Sequence, residues 1–300
     1  MTINKFLPQH KITKDVTFEY NQAGSIKPIE IIGISLTSPI KRTLMELRKK
    51  NTTFEIKKYH RKMTLIVPYR HRREHLKLFL PYIKNYLDKQ KIDYEIIIVE
   101  QTNSKPFNKA KLMNIGAKNA RKDSEYFVFH DVDLLPENID YRYCSHTLKL
   151  FFEIKHEKDS NYKEYKQTVL GGAVLVPKDI FFDINGYSNN YWQWGREDDD
   201  FFIRHLFKGH IALCDNNGKF KALEHNPSIL KNNDGKVSND PKTLKENKRL
   251  LKNNKKRYTR IKTEFYAQDN DGVSTLTDYK IENITINNDV KTILVDFSGA

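Results

Sequence analysis

Tyr126-Phe127-Val128-Phe129-His130-Asp131-Val132-Asp133-Leu134-Leu135-Pro136 changes character at its middle. Its first five residues, aromatic and branched, read as a strand covered on both faces. Two carboxylates follow at once, with one valine between them. Side chains alternate along an extended chain, so Asp131 and Asp133 are expected on the same side of it. Two hard oxygen donors at a strand end can hold Mn²⁺ or Mg²⁺ against a diphosphate. An acidic turn that only caps the next element would use the same letters.

Upstream, Thr64-Leu65-Ile66-Val67-Pro68 reads as a strand, and Arg70-His71-Arg72-Arg73-Glu74 leads into a helix. That helix carries Leu76, Phe79, Leu80, Ile83 and Leu87 on one face, and Pro81 is expected to bend or break it. Tyr94 to Val99 is a second, almost wholly apolar strand, and a helix is expected from about Asn108 to Ala120. Strand–helix–strand alternation predicts an α/β sheet, with ligands beyond the carboxyl ends of its strands. The polar clusters fall at those ends.

Downstream, 140–161 reads as partly helical. Thr168 to Val176 reads as a strand interrupted by Gly171-Gly172, a sign of close backbone approach. Lys219 to Lys262 is rich in Lys and Asn and reads as exposed helix plus loop. Tyr279 to Ile286 and Val290 to Phe297 alternate and read as a hairpin around Asn287-Asn288-Asp289. Residues 1–62, with a possible strand at Ile29 to Ile34, read as an N-terminal extension, and 63–297 as one domain.

Both tryptophans of the chain stand in Asn190-Tyr191-Trp192-Gln193-Trp194-Gly195-Arg196-Glu197-Asp198-Asp199-Asp200. Flat apolar rings stack on the C–H face of a sugar. Gly195 lets the segment hinge. Carboxylates at a helix start are favoured by the macrodipole, and one can act as a general base. A packed Trp pair followed by an acidic helix start is the plainer reading. Pro68-Tyr69-Arg70-His71-Arg72 offers two guanidinium groups to phosphate and a ring to a base; it also reads as a solvated basic helix start. His225, taken alone, is more often a surface or core histidine than a ligand.

The 300 residues suffice for one large domain. The net charge of +14, from 52 Lys+Arg against 38 Asp+Glu, favours anionic partners: nucleic acid, an anionic membrane surface or a phosphorylated substrate. Cys144 and Cys214 are too few for a disulfide framework and fit a reducing compartment. No stretch approaches the ~20 apolar residues of a membrane span. The expectation is a soluble, cytoplasmic chain. A nucleic-acid-binding protein is the first competing reading, but Tyr258 is the sole aromatic in 241–262, so that segment lacks a stacking platform. A catalytically inactive sugar-binding protein is the second, and the presence of Asp133 and Asp198 argues against it.

Taken together and in order, these motifs resemble the β-1,4-galactosyltransferase family, glycosyltransferase family 7. The residues that carry the resemblance are Val67 to Arg72, Phe107 to Gly116, Asp131 to Pro136, Gly171-Gly172, and Trp192-x-Trp194-Gly195-x-Glu197-Asp198-Asp199-Asp200, with Asp271 to Thr277 behind them. It covers roughly residues 63 to 297. It implies a GT-A fold, a metal site, and inverting transfer of galactose or N-acetylgalactosamine from a UDP-sugar to a glycan hydroxyl in a β-1,4 linkage. Carried over residue by residue, it gives the uridine and diphosphate to Pro68, Tyr69, Arg70 and Arg72, with Phe107 and Lys109 on the nucleotide. Lys109 stands where the family usually has arginine. Asp131 and Val132 would meet the ribose and donor. Asp133 and His225 would bind Mn²⁺ or another divalent cation. Gly172 and Trp194 would contact the donor, Trp194 from a loop that closes over it. Tyr191, Trp192, Glu197 and Asp198 would hold the acceptor, with Asp198 the base.

The chain departs from the family in three places. Ala222 and Pro227 flank His225, and neither can supply a third metal ligand. The Lys-rich segment after His225 is longer than the family's. No membrane anchor is expected from the sequence, whereas animal members are anchored in the Golgi; a bacterial-type enzyme acting at the inner face of an anionic membrane on a lipid-linked saccharide is the expectation that follows. Val169, two residues before the Gly-Gly pair, stands where galactose users resemble one another in carrying tyrosine. A valine leaves room for an N-acetyl group, which implies UDP-N-acetylgalactosamine as donor.

Overall fold

The computed structural model describes residues 26–28, 58–164, 170–193, 195–224, 241–259 and 270–297. Its centre is a nine-stranded mixed sheet. The strands are β1 (Ile26–Pro28), β2 (Met63–Tyr69), β3 (Tyr94–Gln101), β4 (Tyr126–His130), β6 (Thr147–Lys149), β9 (Ala173–Pro177), β10 (Ala212–Asp215), β12 (Lys280–Asn287) and β13 (Val290–Asp296), in the order β1-β10-β6-β9-β4-β2-β3-β13-β12. A smaller sheet of β5 (Leu134–Asn138), β7 (Glu153–His156), β8 (Lys163–Glu164) and β11 (Lys219–Ala222) runs in the order β5-β11-β7-β8. Among the described residues there are five α-helices: α1 (Arg73–Lys89), α2 (Lys109–Lys118), α3 (Lys178–Asp183), α4 (Glu197–Phe207) and α5 (Pro241–Thr259).

The three central strands pair in parallel, Leu65 with Ile96 and with Val128. Their continuous apolar runs follow from burial on both faces. Period-2 alternation divides them between two cores. Ile66, Ile97, Val99, Phe127 and Phe129 pack with α2 and α4, whereas Leu65, Val67, Ile96, Ile98 and Val128 pack with Phe79, Ile83 and Leu87 of α1. Parallel pairing puts the carboxyl ends of β2, β3 and β4 along one rim. The hairpin expected at the C-terminal end is present, and its turn residues Asn288 and Asp289 both have positive φ, as a two-residue hairpin turn requires.

Four expectations need correction. Pro81 does not break α1, which runs through it to Lys89. The proline lies on the exposed face, where the freed carbonyl of Lys77 can turn to water while the buried stripe of Phe79, Ile83 and Leu87 stays intact. The 140–161 stretch holds β6 and β7 and no helix. Leu148, Phe151 and Ile154 are spaced like a helix face, but pairing of Leu148 with Leu175 and of Ile154 with Phe220 decides the outcome. The Gly-Gly strand begins only at Ala173, after the glycines, and 165–169 lie outside the described residues. The exposed segment beginning at Lys219 opens with strand β11, whose Phe220 and Ala222 are buried. The possible strand at 29–34 also lies outside the described residues, although β1 just before it joins the edge of the large sheet.

Candidate active site

The rim begins at the end of β2. Pro68 and Tyr69 are buried there, and Arg70 leaves the sheet with its guanidinium 5.3 Å from the centre of the Phe107 ring. Phe107 is held by its own loop. The Gln101 side chain accepts from the Asn108 backbone N–H at 3.0 Å and donates to the carbonyls of Lys105 and Pro106. Asn108 then caps α2 by accepting from Lys111 N at 2.9 Å. That cap fixes where Lys109, the first residue of α2, points.

Lys109 Nζ stands 2.8 Å from Asp131 Oδ1. Burial works against the lysine charge, but Asp131, Asp198 and Glu197 together outweigh it and hold its pKa well above the ordinary range. The carboxylates feel the same enclosure from the other side. Burial pushes Asp198 well above the usual carboxylate range, against the pull of Lys109, and Glu197 is raised for the same reason. Lys109, Asp131, Asp198, Leu170, Gly172 and Tyr187 line one narrow pocket. Gly171 touches its far wall: a Cβ placed there would lie 2.3 Å from Asp198 Oδ2.

Glu197 and Asp198 open α4, whose first turn contains four acidic residues. The exposed amides of that turn and the macrodipole favour the charged forms, which partly offsets burial. Arg196, at φ +84, turns the chain into the helix and pairs with Asp199 at 3.0 Å. Asp200 faces inward instead, 2.7 Å from Arg204 Nε. Arg204 also donates to Asp271 O at 2.7 Å, and Asp271 accepts from Asn189 N at 2.8 Å. This buried lattice ties α4 to the chain that enters the aromatic loop.

The structure brings Asp131, Lys109, Asp198 and Glu197 into one electrostatic group, with Arg70 and Phe107 on the neighbouring strand end. Arg72 lies one residue before α1, half-buried. Tyr191 is buried, its hydroxyl 3.4 Å from Asp200, and Trp192 packs edge-on against Phe297 at 6.0 Å. Val132 is buried beneath the rim. Trp194, Val169 and His225 lie outside the described residues. Asp131-Val132-Asp133 is not extended, which corrects the expected alternation: the chain turns there, with Leu134 N bonding back to Asp131 O. The two carboxylates therefore have separate tasks, Asp131 on Lys109 and Asp133 at the start of β5.

Two contributors escape sequence reading. Lys149 is 1% exposed, packs 5.1 Å over the Phe151 ring and interacts with Asp198; burial lowers its pKa. A lone lysine on a three-residue strand gives no motif. Asn247, 2% exposed on α5, donates to the carbonyls of Trp192 and Gly195 at 2.9 and 3.1 Å. Nothing in a Lys/Asn-rich run distinguishes that asparagine from its neighbours.

The donor set suits a divalent cation as far as the described chain goes. Leu223 N donates to Asp133 O at 2.8 Å, so the end of β11 is held against Asp133. The described chain continues to Glu224, whose carbonyl is tied to His75 Nε2 at 2.9 Å, and His225 is the next residue. The Asp133 carboxylate is a hard oxygen donor of the kind Mn²⁺ takes, and His225 itself lies outside the described residues.

A mixed sheet with its acidic centre at the strand ends defines a GT-A nucleotide-sugar fold. A solved structure bears this out: the Drosophila β-1,4-galactosyltransferase 7, solved as a mutant complex with manganese, UDP-Gal and xylobiose, is 27% identical with a TM-score of 0.59, covering 80% of this chain and 95% of that one. The catalytic domain of the same Drosophila enzyme with xylobiose is 29% identical at a TM-score of 0.59. The N-terminal region of glycosyl transferase group 7 matches residues 38–145, and the model described as the N-terminal domain of galactosyltransferase matches 153–226. The chain belongs to glycosyltransferase family 7, the β-1,4-galactosyltransferase family. It is 36% identical over 195 residues to β-1,4-galactosyltransferase 4 of Cricetulus griseus, covering 61% of this chain and 56% of that protein. It is 39% identical over 168 residues to β-1,4-galactosyltransferase 1 of Bos taurus, covering 55% and 42%. The chain spans about half the length of these curated relatives.

Proposed function

We propose that the chain is an inverting, divalent-cation-dependent glycosyltransferase that moves a hexose from a UDP-sugar to a hydroxyl of a glycan acceptor, forming a β-1,4 linkage. The observation that carries this is the meeting of Asp198, Asp131 and Lys109 in one pocket, with the buried Glu197 coupled to them by charge and Asp198 raised well above the usual carboxylate range. A base poised in that way takes a proton from an acceptor hydroxyl as it attacks the anomeric carbon. Lys109 holds Asp131 in place and balances the charge of the carboxylates. Arg70 adds positive charge on the diphosphate side. Asp133 and His225 would hold the cation, which supplies neutralisation of the leaving diphosphate when bound. Support from relatives comes from the Drosophila complex, which contains manganese, UDP-Gal and xylobiose.

The finer assignments belong to the same proposal. Val169 favours UDP-N-acetylgalactosamine over UDP-galactose, because a valine leaves the volume that a phenol ring would fill. A cytoplasmic site, to which the free, buried Cys144 and Cys214 are suited, and an acceptor carried on lipid at an anionic membrane surface fit the charge of +14. The test is UDP release with Mn²⁺ across a set of UDP-hexoses and saccharide acceptors. Release that depends on acceptor and cation supports the reading. Binding of nucleic acid that weakens steeply with salt, without UDP release, would favour the competing one.

A further inference from the structure

Among the described residues, four buried side-chain atoms have no hydrogen-bond partner: Arg121 Nε, Glu153 Oε2, Gln193 Oε1 and Glu197 Oε2. The first two face opposite charges, Arg121 Nε at 3.5 Å from Asp123 and Glu153 Oε2 at 2.6 Å from Lys219 Nζ. The other two form no ion pair among the described residues. They lie four positions apart, where the aromatic loop runs into α4. Both are acceptors. A buried acceptor without a donor destabilises the fold, so each calls for a reason.

Gln193 carries a second cost. Its φ is +59, a left-handed conformation that glycine takes freely and other residues resist. Its N–H donates to Phe107 O at 2.6 Å, which holds it there. Asn247 grips the carbonyls on both sides, at Trp192 and Gly195. The loop is thus braced by the segment just before α2 on one side and by α5 on the other. A residue that is strained, unsatisfied and braced is prepared for something it has yet to meet.

We propose that Gln193 is a specificity-determining residue of the acceptor subsite: its Oε1 accepts a hydrogen bond from an O–H group of the acceptor sugar, beside the bond that Glu197 accepts. This rests on the glycosyltransferase reading above. The acceptor class follows from the two unfilled oxygens. It is a sugar whose free 3- and 6-hydroxyls stand next to the reacting 4-hydroxyl as hydrogen-bond donors, and not its deoxy or O-methyl analogue. A site that leaves buried acceptors unpaired rejects an analogue lacking the donor.

The test uses the full chain with Mn²⁺, measuring UDP release for wild type, Gln193→Gly and Gln193→Glu. Acceptors end in glucose, N-acetylglucosamine or 3-deoxyglucose, and melting is followed in parallel. Gln193→Gly removes the oxygen and relieves the strained φ. It should melt at or above the wild-type temperature and keep the donor KM. Its acceptor KM should rise about tenfold for intact sugars, with discrimination against the deoxy analogue lost. Gln193→Glu, which keeps an acceptor oxygen, should retain that discrimination. An unchanged acceptor profile in Gln193→Gly overturns the inference and leaves the transferase reading standing. So does a lowered melting temperature with an equal kcat loss across all acceptors, which marks a structural role. A wild type that releases no UDP from any UDP-hexose with any acceptor overturns both.

Discussion

Gly171→Ala is the substitution whose effect the structure sets most closely. The glycine is buried beside the base, and its φ lies outside the left-handed region, so an alanine backbone fits without strain. The new methyl would stand 2.3 Å from Asp198 Oδ2 and 3.0 Å from its Cγ. Ordinary contacts begin near 3.4 Å. The carboxylate must therefore withdraw by about 1 Å, a displacement that can cost on the order of 10²-fold in rate. The cost to the fold is small, because the obstructed group is the end of a flexible side chain at the open helix start. Expected is a kcat about 10²-fold lower, a donor KM within about twofold of wild type, and a melting temperature shifted by no more than a few degrees. UDP release and thermal melting on the same preparation measure all three. Wild-type kcat in a folded Gly171→Ala protein would show that the position of Asp198 does not govern the reaction.

Asp198→Asn keeps the shape and removes the proton acceptor, so kcat should fall by at least ~10²-fold, as loss of a general base does; a normal rate there with a dead Glu197→Gln would reverse the two roles. Because Asp198 is raised, its basic form is lost as pH falls through a value above the ordinary carboxylate range, and the acid limb of kcat/KM should lie there; a limb near pH 4 would contradict the buried-base account. His130 and His205 are buried and neutral, pushed down to about 4 and about 3 by burial. Their folded pKa values lie below the unfolded value of about 6.5, so the unfolded chain takes up protons first and each costs about 2 kcal/mol at pH 5, against the opposite contribution of the raised Asp198 and Glu197; a His205→Gln protein whose melting temperature changes between pH 7.5 and 5 just as the wild type's does would refute the histidine contribution. Asp133→Ala should abolish cation-dependent transfer, and full turnover in excess EDTA would remove the metal from the account.

Much of this site was legible because its residues sit where local chemistry changes abruptly. The strand before Asp131 ends in carboxylates, and the tryptophan loop ends in four acidic residues at a helix start. Period-2 and period-3.6 patterns located β2, β3, β4, α1 and α2. What stayed hidden depends on pairing across the chain. β6 and β7 mimic a helix face until β9 and β11 lie beside them. Lys149 becomes part of the site only when β6 is seated next to β9. Asn247 matters because α5 packs on a loop some fifty residues earlier. The turn at Asp131-Val132-Asp133, closed by Leu134 N on Asp131 O, shows only once the chain leaves β4 for β5.

The central claim is inverting transfer with Asp198 as base. It is tested most directly by the anomeric configuration of the product, read by proton NMR after reaction of a UDP-α-hexose with a saccharide acceptor in Mn²⁺. The account predicts a β-linked product from wild type and none from Asp198→Asn. An α-linked product, or a β-linked product formed equally well without the Asp198 carboxylate, would contradict it.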